Sequence, residues 1–165
     1  MPITFRLRLD DYLADWFVHD CGGGNPLCLP RNCVESLLLK EPLQPRRLAP
    51  ARAGFNEPPG VDVVIPEFRL KPAEYYNYLP PAAHNLLVSI IRGRFDVDMW
   101  QFFHTLEQAA GIVDRQELIY AFMEARGISP TEKNWNAIAK RYQRKVNSYR
   151  MAKLRKARKN EEKSL

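Results

Sequence analysis

Between Thr131 and Tyr149 the residues Trp135, Ile138, Ala139, Tyr142, Val146 and Tyr149 recur at helical spacing. At about 100° per residue they form one stripe, so the segment reads as an amphipathic helix that must lay this face on other helices. The opposite face carries Lys133, Asn136, Ala137, Lys140, Arg144 and Asn147. Past Tyr149 the apolar stripe gives out while the charge increases, and the helix is expected to run on beyond the body. The expected fold class is therefore mainly α with a short β element (α+β). Its C-terminal part is expected to be a helical bundle with a helix-turn-helix-like pair and a long basic terminal helix.

The charge of that helix is not shared by the rest of the chain. Residues 140–165 hold 11 Lys and Arg against Glu161 and Glu162, a net of +9, which leaves −3 for residues 1–139 of a chain that totals +6. Nucleic acid is the polyanion that most often meets such an end. Lys and Arg neutralise phosphates, and Asn and Arg can pair two-point with adenine or guanine edges in a major groove. The bland alternative is a solvated tail whose cations complement the helix dipole. An anionic membrane surface is a poorer fit, since only Met151 and Leu154 remain as bulky apolar residues there.

Earlier in the chain, Ile3, Phe5, Leu7 and Leu9 alternate with Thr4, Arg6 and Arg8, the pattern of a half-buried strand with a basic outer face. Asp10 and Asp11 open a helix carrying Leu13, Trp16 and Phe17, and Gly22, Gly23 and Gly24 end it. A second short helix is expected near 31–40, presenting Val34, Leu37 and Leu38. Prolines at 42, 45, 50, 58 and 59 mark residues 42–60 as a linker. The expected organisation is thus a 1–41 strand-helix-helix segment, a 42–60 linker and a 61–165 helical domain. Within the last, residues 61–65 read as a strand continuing past Pro66 to Phe68 and Leu70, and 72–78 as a helical turn. A helix should then start at Pro80 and Pro81, and a separate one capped by Asp96 should end at Gly111. Asp114 and Glu117 have capping-box spacing, Gly127 suits a C′ position, and Ser129 to Glu132 reads as a full capping box with Pro130 first in the helix.

The stretch 114–144 resembles a helix-turn-helix motif as a supersecondary pattern, which implies base contacts from the start of the second helix. The N-terminal piece, Ile3 to Leu9 followed by Asp10, Asp11, Tyr12 and Leu13, resembles ribbon-helix-helix DNA-binding domains over about a quarter of the chain. That resemblance implies strands from two chains paired side by side, with Thr4, Arg6 and Arg8 on DNA. The long connection from Cys21 to Pro30 and the bulky Trp16 and Phe17 depart from the pattern. If the strand pairs instead with the one at Val61, no dimer is required.

His19, Cys21, Cys28 and Cys33 are a conceivable zinc set, but they lack a Cys-x2-Cys knuckle, and small thiols are the favoured reading. The glycines at 22–24 follow a helix and lack the Lys-Ser/Thr of a P-loop. His84 and His104 fall on apolar helices, and the pairs Asp10/Asp11 and Asp96/Asp98 sit where capping explains them. Tyr75, Tyr76 and Tyr78, beside Arg69 and Lys71, would stack bases if exposed, although two in the core and one at the surface is the ordinary outcome.

No cofactor, metal or enzymatic activity is expected. The expected function is a nucleic-acid-binding regulator or accessory factor, DNA rather than RNA, of the kind that serves bacterial or mobile genomes. It would act through Lys133, Asn136, Lys140, Arg141, Arg144, Lys145, Arg150, Lys153, Arg155 and Lys156. The alternative is a protein-interaction or assembly adaptor whose basic tail grips an acidic partner. With no membrane-length apolar run and no secretory stretch, a cytoplasmic protein is the default expectation, with a homodimer among its expected states.

Overall fold

The computed structural model of the chain describes residues 1–48, 59–111 and 114–162. Two compact units emerge: residues 1–95 with 126–128, and residues 96–125 with 129–165. Mainly helical, it carries two small antiparallel sheets of two strands each among the described residues.

In the first unit, strand β1 (Thr4–Arg8) pairs antiparallel with β3 (Gly60–Val64), from Thr4 opposite Val64 to Arg8 opposite Gly60. The period-2 pattern works as expected: Leu7, Leu9 and Val63 are buried. On the outer face Arg6 reaches its cross-strand neighbour Asp62 at 3.2 Å. Gly60 is needed because a Cβ there would lie 2.1 Å from the Leu7 carbonyl oxygen. Leu27 closes the other edge of β3, donating to the Asp62 carbonyl at 2.8 Å and accepting from Val64 at 2.9 Å. β1 thus takes an antiparallel partner from its own chain, so no dimer is required to pair it, unlike the two-chain ribbon implied by the ribbon-helix-helix resemblance.

Helix α1 (Asp11–Asp20) buries Tyr12, Leu13, Trp16 and Phe17. Tyr12 and Trp16 meet Phe95 edge-on, with centroids 5.2 and 5.6 Å away. Helix α2 (Val34–Leu39) presents the opposite face from the expected one. Val34 and Leu37 are 53% and 59% exposed, whereas Glu35 is 1% exposed and Leu39 is buried. The inversion has an electrostatic cause: Arg94 forks its guanidinium between Glu35 and Asp20 and lies over the Trp16 ring. Burial would lower the Arg94 pKa, but the bonds and charge of Glu35 and Asp20 outweigh it, and the net direction is upward.

The described part of the expected linker is ordered into structure. Leu43 is buried, and β2 (Gln44–Pro45) pairs antiparallel with β4 (Tyr76–Tyr78) before a 3-10 turn at Arg46–Leu48. Residues 49–58 lie outside the described residues. The strand expected to continue past Pro66 stops, since proline offers no amide to extend the ladder; its last bond runs from the Ile65 amide to the Ile3 carbonyl. The helical turn expected over 72–78 is one turn only, with Tyr76 bonded to Pro72, and it leads into β4.

Helix α3 runs unbroken over Pro81–Ala110, which corrects the expectation of a new helix at Asp96. Its residues up to Phe95 belong to the first unit and the rest to the second. Asp96 is a good capping residue in isolation, but its carboxylate is taken by Arg141. Gly111, at φ +78°, ends the helix as expected.

In the second unit, Phe102 and Phe103 of α3 meet Phe122 of α4 (Arg115–Ala125) at centroid distances of 5.3 and 5.6 Å. Tyr142 of α5 (Glu132–Glu162) stands edge-on to Phe103 at 4.8 Å. The turn before α5 contains Gly127 at φ +63°. The cap of α5 is shifted by two residues from the expected box: Thr131 Oγ1 accepts the Asn134 amide at 3.2 Å, and Ser129 instead offers its carbonyl to the Asn134 side chain at 3.1 Å. Pro130 therefore precedes the helix.

Candidate nucleic-acid interface

Helix α5 is continuous because its interior holds no Gly or Pro and is rich in Lys, Arg and Ala, all strong helix formers. Its inner face is fixed first. Ile138 and Ala139 are buried, and Trp135, Tyr142 and Val146 are half-buried. Arg115, at the start of α4, locks this register: it donates to the Ala139 carbonyl at 2.7 Å and to the Gln143 side chain at 2.9 Å, and lies over the Tyr142 ring. Tyr142 donates to Glu107 at 3.2 Å; burial, then the Glu107 charge and bond, hold its phenol above the usual range.

With that face anchored, the predicted residues take up three situations. Lys133, Asn136, Lys140 and Arg144 lie on the outward face and are exposed. Arg141 faces α3 instead: its Nε and Nη2 donate to Asp96 Oδ1 and Oδ2, both at 2.8 Å, and the two side chains are only 23% and 17% exposed. Arg150, Lys153, Arg155 and Lys156 belong to a run, 147–162, in which every residue is exposed. Among the described residues, Lys140, Arg144, Lys145, Arg150, Lys153, Arg155, Lys156, Arg158 and Lys159 form no ion pair with an acidic side chain.

Arg141, Arg144 and Lys145 are brought together around a cavity of about 240 Å³, which Asp96 and Ser148 complete. Sequence reasoning missed both of these. Ser148 was accessible to it: residues 141, 144, 145 and 148 stand at i, i+3, i+4 and i+7, one flank of a helix. Asp96 was not, because no local pattern reveals a partner 45 residues away.

Elsewhere the candidates for chemistry do not converge. Among the described residues no three His, Cys, Asp or Glu side chains gather to hold a metal. The Cys33 thiol accepts the Ser36 amide at the start of α2. Burial, then the neighbouring charges of Asp20 and Glu35, push the Cys21 thiol up to about 12, so it is protonated at neutral pH and a poor nucleophile. His84 Nε2 accepts the Arg8 backbone amide at 3.0 Å, and His104 sits beside Trp100 at 5.0 Å. Tyr75 is exposed, whereas Tyr76 and Tyr78 are half-buried in β4. A second concavity, about 420 Å³ and apolar, is lined by Leu38, Leu39, Pro42, Leu79, Leu86 and Leu87 with Glu41 and Ala83. It contains none of the predicted binding residues.

No helix among the described residues is long and apolar enough to cross a membrane. Compared with protein-family models, curated proteins and solved structures, the chain matches none.

Proposed function

We propose that this chain is a non-enzymatic nucleic-acid-binding protein, a regulator or accessory factor that grips double-stranded DNA with α5. The observation that carries the reading is the combination of exposure and charge: nine cations on one helix, none compensated by an acidic side chain among the described residues. Holding them together without a counter-charge costs free energy that a polyanion would relieve. In this reading α4, the Gly127 turn and α5 act as a helix-turn-helix-like pair. Lys133, Asn136 and Lys140 near the start of α5 would then approach base edges, and Arg144 onward would follow the backbone. B-form DNA fits better than duplex RNA, whose major groove is too deep and narrow for side chains to read.

The test keeps the chain at full length and replaces Arg150, Lys153, Arg155 and Lys156 with Gln. Binding to a random duplex is followed by fluorescence anisotropy across a salt series. The parent should show a steep salt dependence, and the slope of log K against log salt should lose up to about 3.6, at ~0.9 per phosphate. A parent protein that ignores duplex DNA at low salt refutes the proposal.

One observation favours a second reading, a protein-interaction adaptor: Val34, Leu37 and Leu86 are all exposed, and Leu86 also lines the apolar concavity. Polyglutamate binding that matches or exceeds DNA binding would select it.

A further inference from the structure

We infer that the cavity bounded by Asp96, Arg141, Arg144, Lys145 and Ser148 is a seat for a single phosphate group, one defined backbone contact within the proposed DNA-binding surface. The inference rests on that reading for the source of the phosphate, and on the geometry of the cavity for its chemistry.

Its lining is arranged for an oxyanion. The Asp96 carboxylate, the one acid in it, has both oxygens engaged by Arg141 at 2.8 Å. Its charge is therefore spent locally, and the guanidinium of Arg141 is held in a fixed plane. Arg144 and Lys145 have no acidic partner among the described residues, so the lining carries two uncompensated positive charges. Ser148 adds a neutral hydroxyl one turn on from Arg144. The volume of about 240 Å³ corresponds to roughly eight waters at ~30 Å³ each, room for a tetrahedral oxyanion and part of its hydration. Arg144 and Lys145 supply charge-assisted hydrogen bonds and Ser148 Oγ a neutral one. Arg141 is a positioning residue: its Asp96 pair sets where the pocket wall stands.

A seat differs from a diffuse cationic surface in how losses combine, and that difference is measurable on the full-length chain. Removing Arg144 and Lys145 together empties one phosphate site, so R144Q/K145Q should lower the salt slope by about 0.9 and duplex affinity about eightfold in 0.1 M salt. Diffuse attraction would instead cost about 0.9 for each residue, about 1.8 in all. Ser148→Ala, which removes no charge, should weaken binding with the slope unchanged. In parallel, parent protein is titrated with inorganic phosphate against chloride at matched ionic strength, and the Arg144 side-chain and Ser148 amide NMR signals are followed.

Four outcomes decide the matter. Saturable shifts with phosphate, together with the single-site slope loss, establish the seat and the DNA contact. Saturable shifts in a protein that ignores duplex DNA keep the seat but assign it to free phosphate, and the proposed function falls alone. Duplex binding that is indifferent to Ser148→Ala and loses slope additively overturns the seat while leaving the proposed function standing. Polyglutamate moving the same signals as strongly as phosphate overturns the assignment to phosphate.

Discussion

The pairing of Asp96 with Arg141 makes a quantitative demand on the stability of the second unit. Two unit charges about 4 Å apart attract by about 4 kcal/mol at an effective dielectric constant near 20. Desolvating both groups offsets part of this, and at 17% and 23% exposure water still screens some of the rest. The bidentate geometry, with both bonds at 2.8 Å, restores some of the loss. A coupling of about 1–3 kcal/mol is therefore expected, above the ~0.2–1 kcal/mol of an exposed pair. The measurement is a double-mutant cycle of Asp96→Ala, Arg141→Ala and the double variant, by urea unfolding followed through tryptophan fluorescence. Trp100 lies four residues from Asp96 and touches Tyr142 and Tyr149, so it should report the loss directly. In 0.5 M salt the coupling should survive, whereas the Arg6–Asp62 pair, at 34% and 43% exposure, should lose most of its own. A coupling below ~0.5 kcal/mol would refute the claim that this pair, rather than intrinsic propensity, carries α3 through residue 96.

The strand pair and a half-buried imidazole give two further tests. Gly60→Ala places a methyl 2.1 Å from the Leu7 carbonyl oxygen, so β1 and β3 must move apart; unfolding should cost about 3 kcal/mol less, with the transition of the first unit shifted to lower urea. Burial first, and then the charge of Arg8, lowers the pKa of His84 from 6.5 against the opposing bond to Asn85. The neutral ring accepts the Arg8 amide, while the unfolded chain takes up a proton at 6.5; stability is therefore full above pH 6.5 and declines as pH falls from there through the lower folded value. His84→Gln should flatten the dependence of the urea midpoint between pH 7.5 and 5, and an unchanged profile would remove His84 from the account.

What was legible in the sequence, and what was not, divides along a physical line. Strand β1, helix α1 and the inner face of α5 were readable because each is specified by periodicity within its own segment. The α2 face, the continuity of α3 and the situation of Arg141 were not. Two arginines account for all three: Arg94 draws Glu35 inward across 59 residues, and Arg141 occupies Asp96 across 45. A carboxylate that will be paired at long range looks the same in sequence as one that caps a helix or faces water. The α5 cap failed for a different reason. Ser129 and Thr131 are both acceptable capping residues, and the Asn134 side chain settles the frame by bonding back to the Ser129 carbonyl.

The basic segment, uniform in composition, is not uniform in three dimensions, and this bears on what each part would contribute under the proposed function. Up to Tyr149, packing confines the cations to the outer face and one flank of α5, so a bound polyanion meets them from a set direction. Beyond Tyr149 the restriction lapses. At about 100° per residue, Lys153 and Lys156 fall on the side that Tyr142 and Val146 occupy two to four turns earlier, and Arg155 and Arg158 fall opposite. The pairs 150/153, 153/156, 155/158, 156/159 and 155/159 are like charges at i,i+3 or i,i+4, together costing the bare helix about 1–2.5 kcal/mol at ~0.2–0.5 each. A polyanion would relieve that repulsion whichever side it approached, so under the proposed function residues 150–159 would supply affinity without orientation. Orientation must come from the segment 133–148, where Arg141 is fixed by Asp96, the flank at 144, 145 and 148 has one accessible side, and the helix is held by Arg115. Under the proposed function, non-specific grip and directional contact would thus be separable along a single helix, with Tyr149 as the boundary between them.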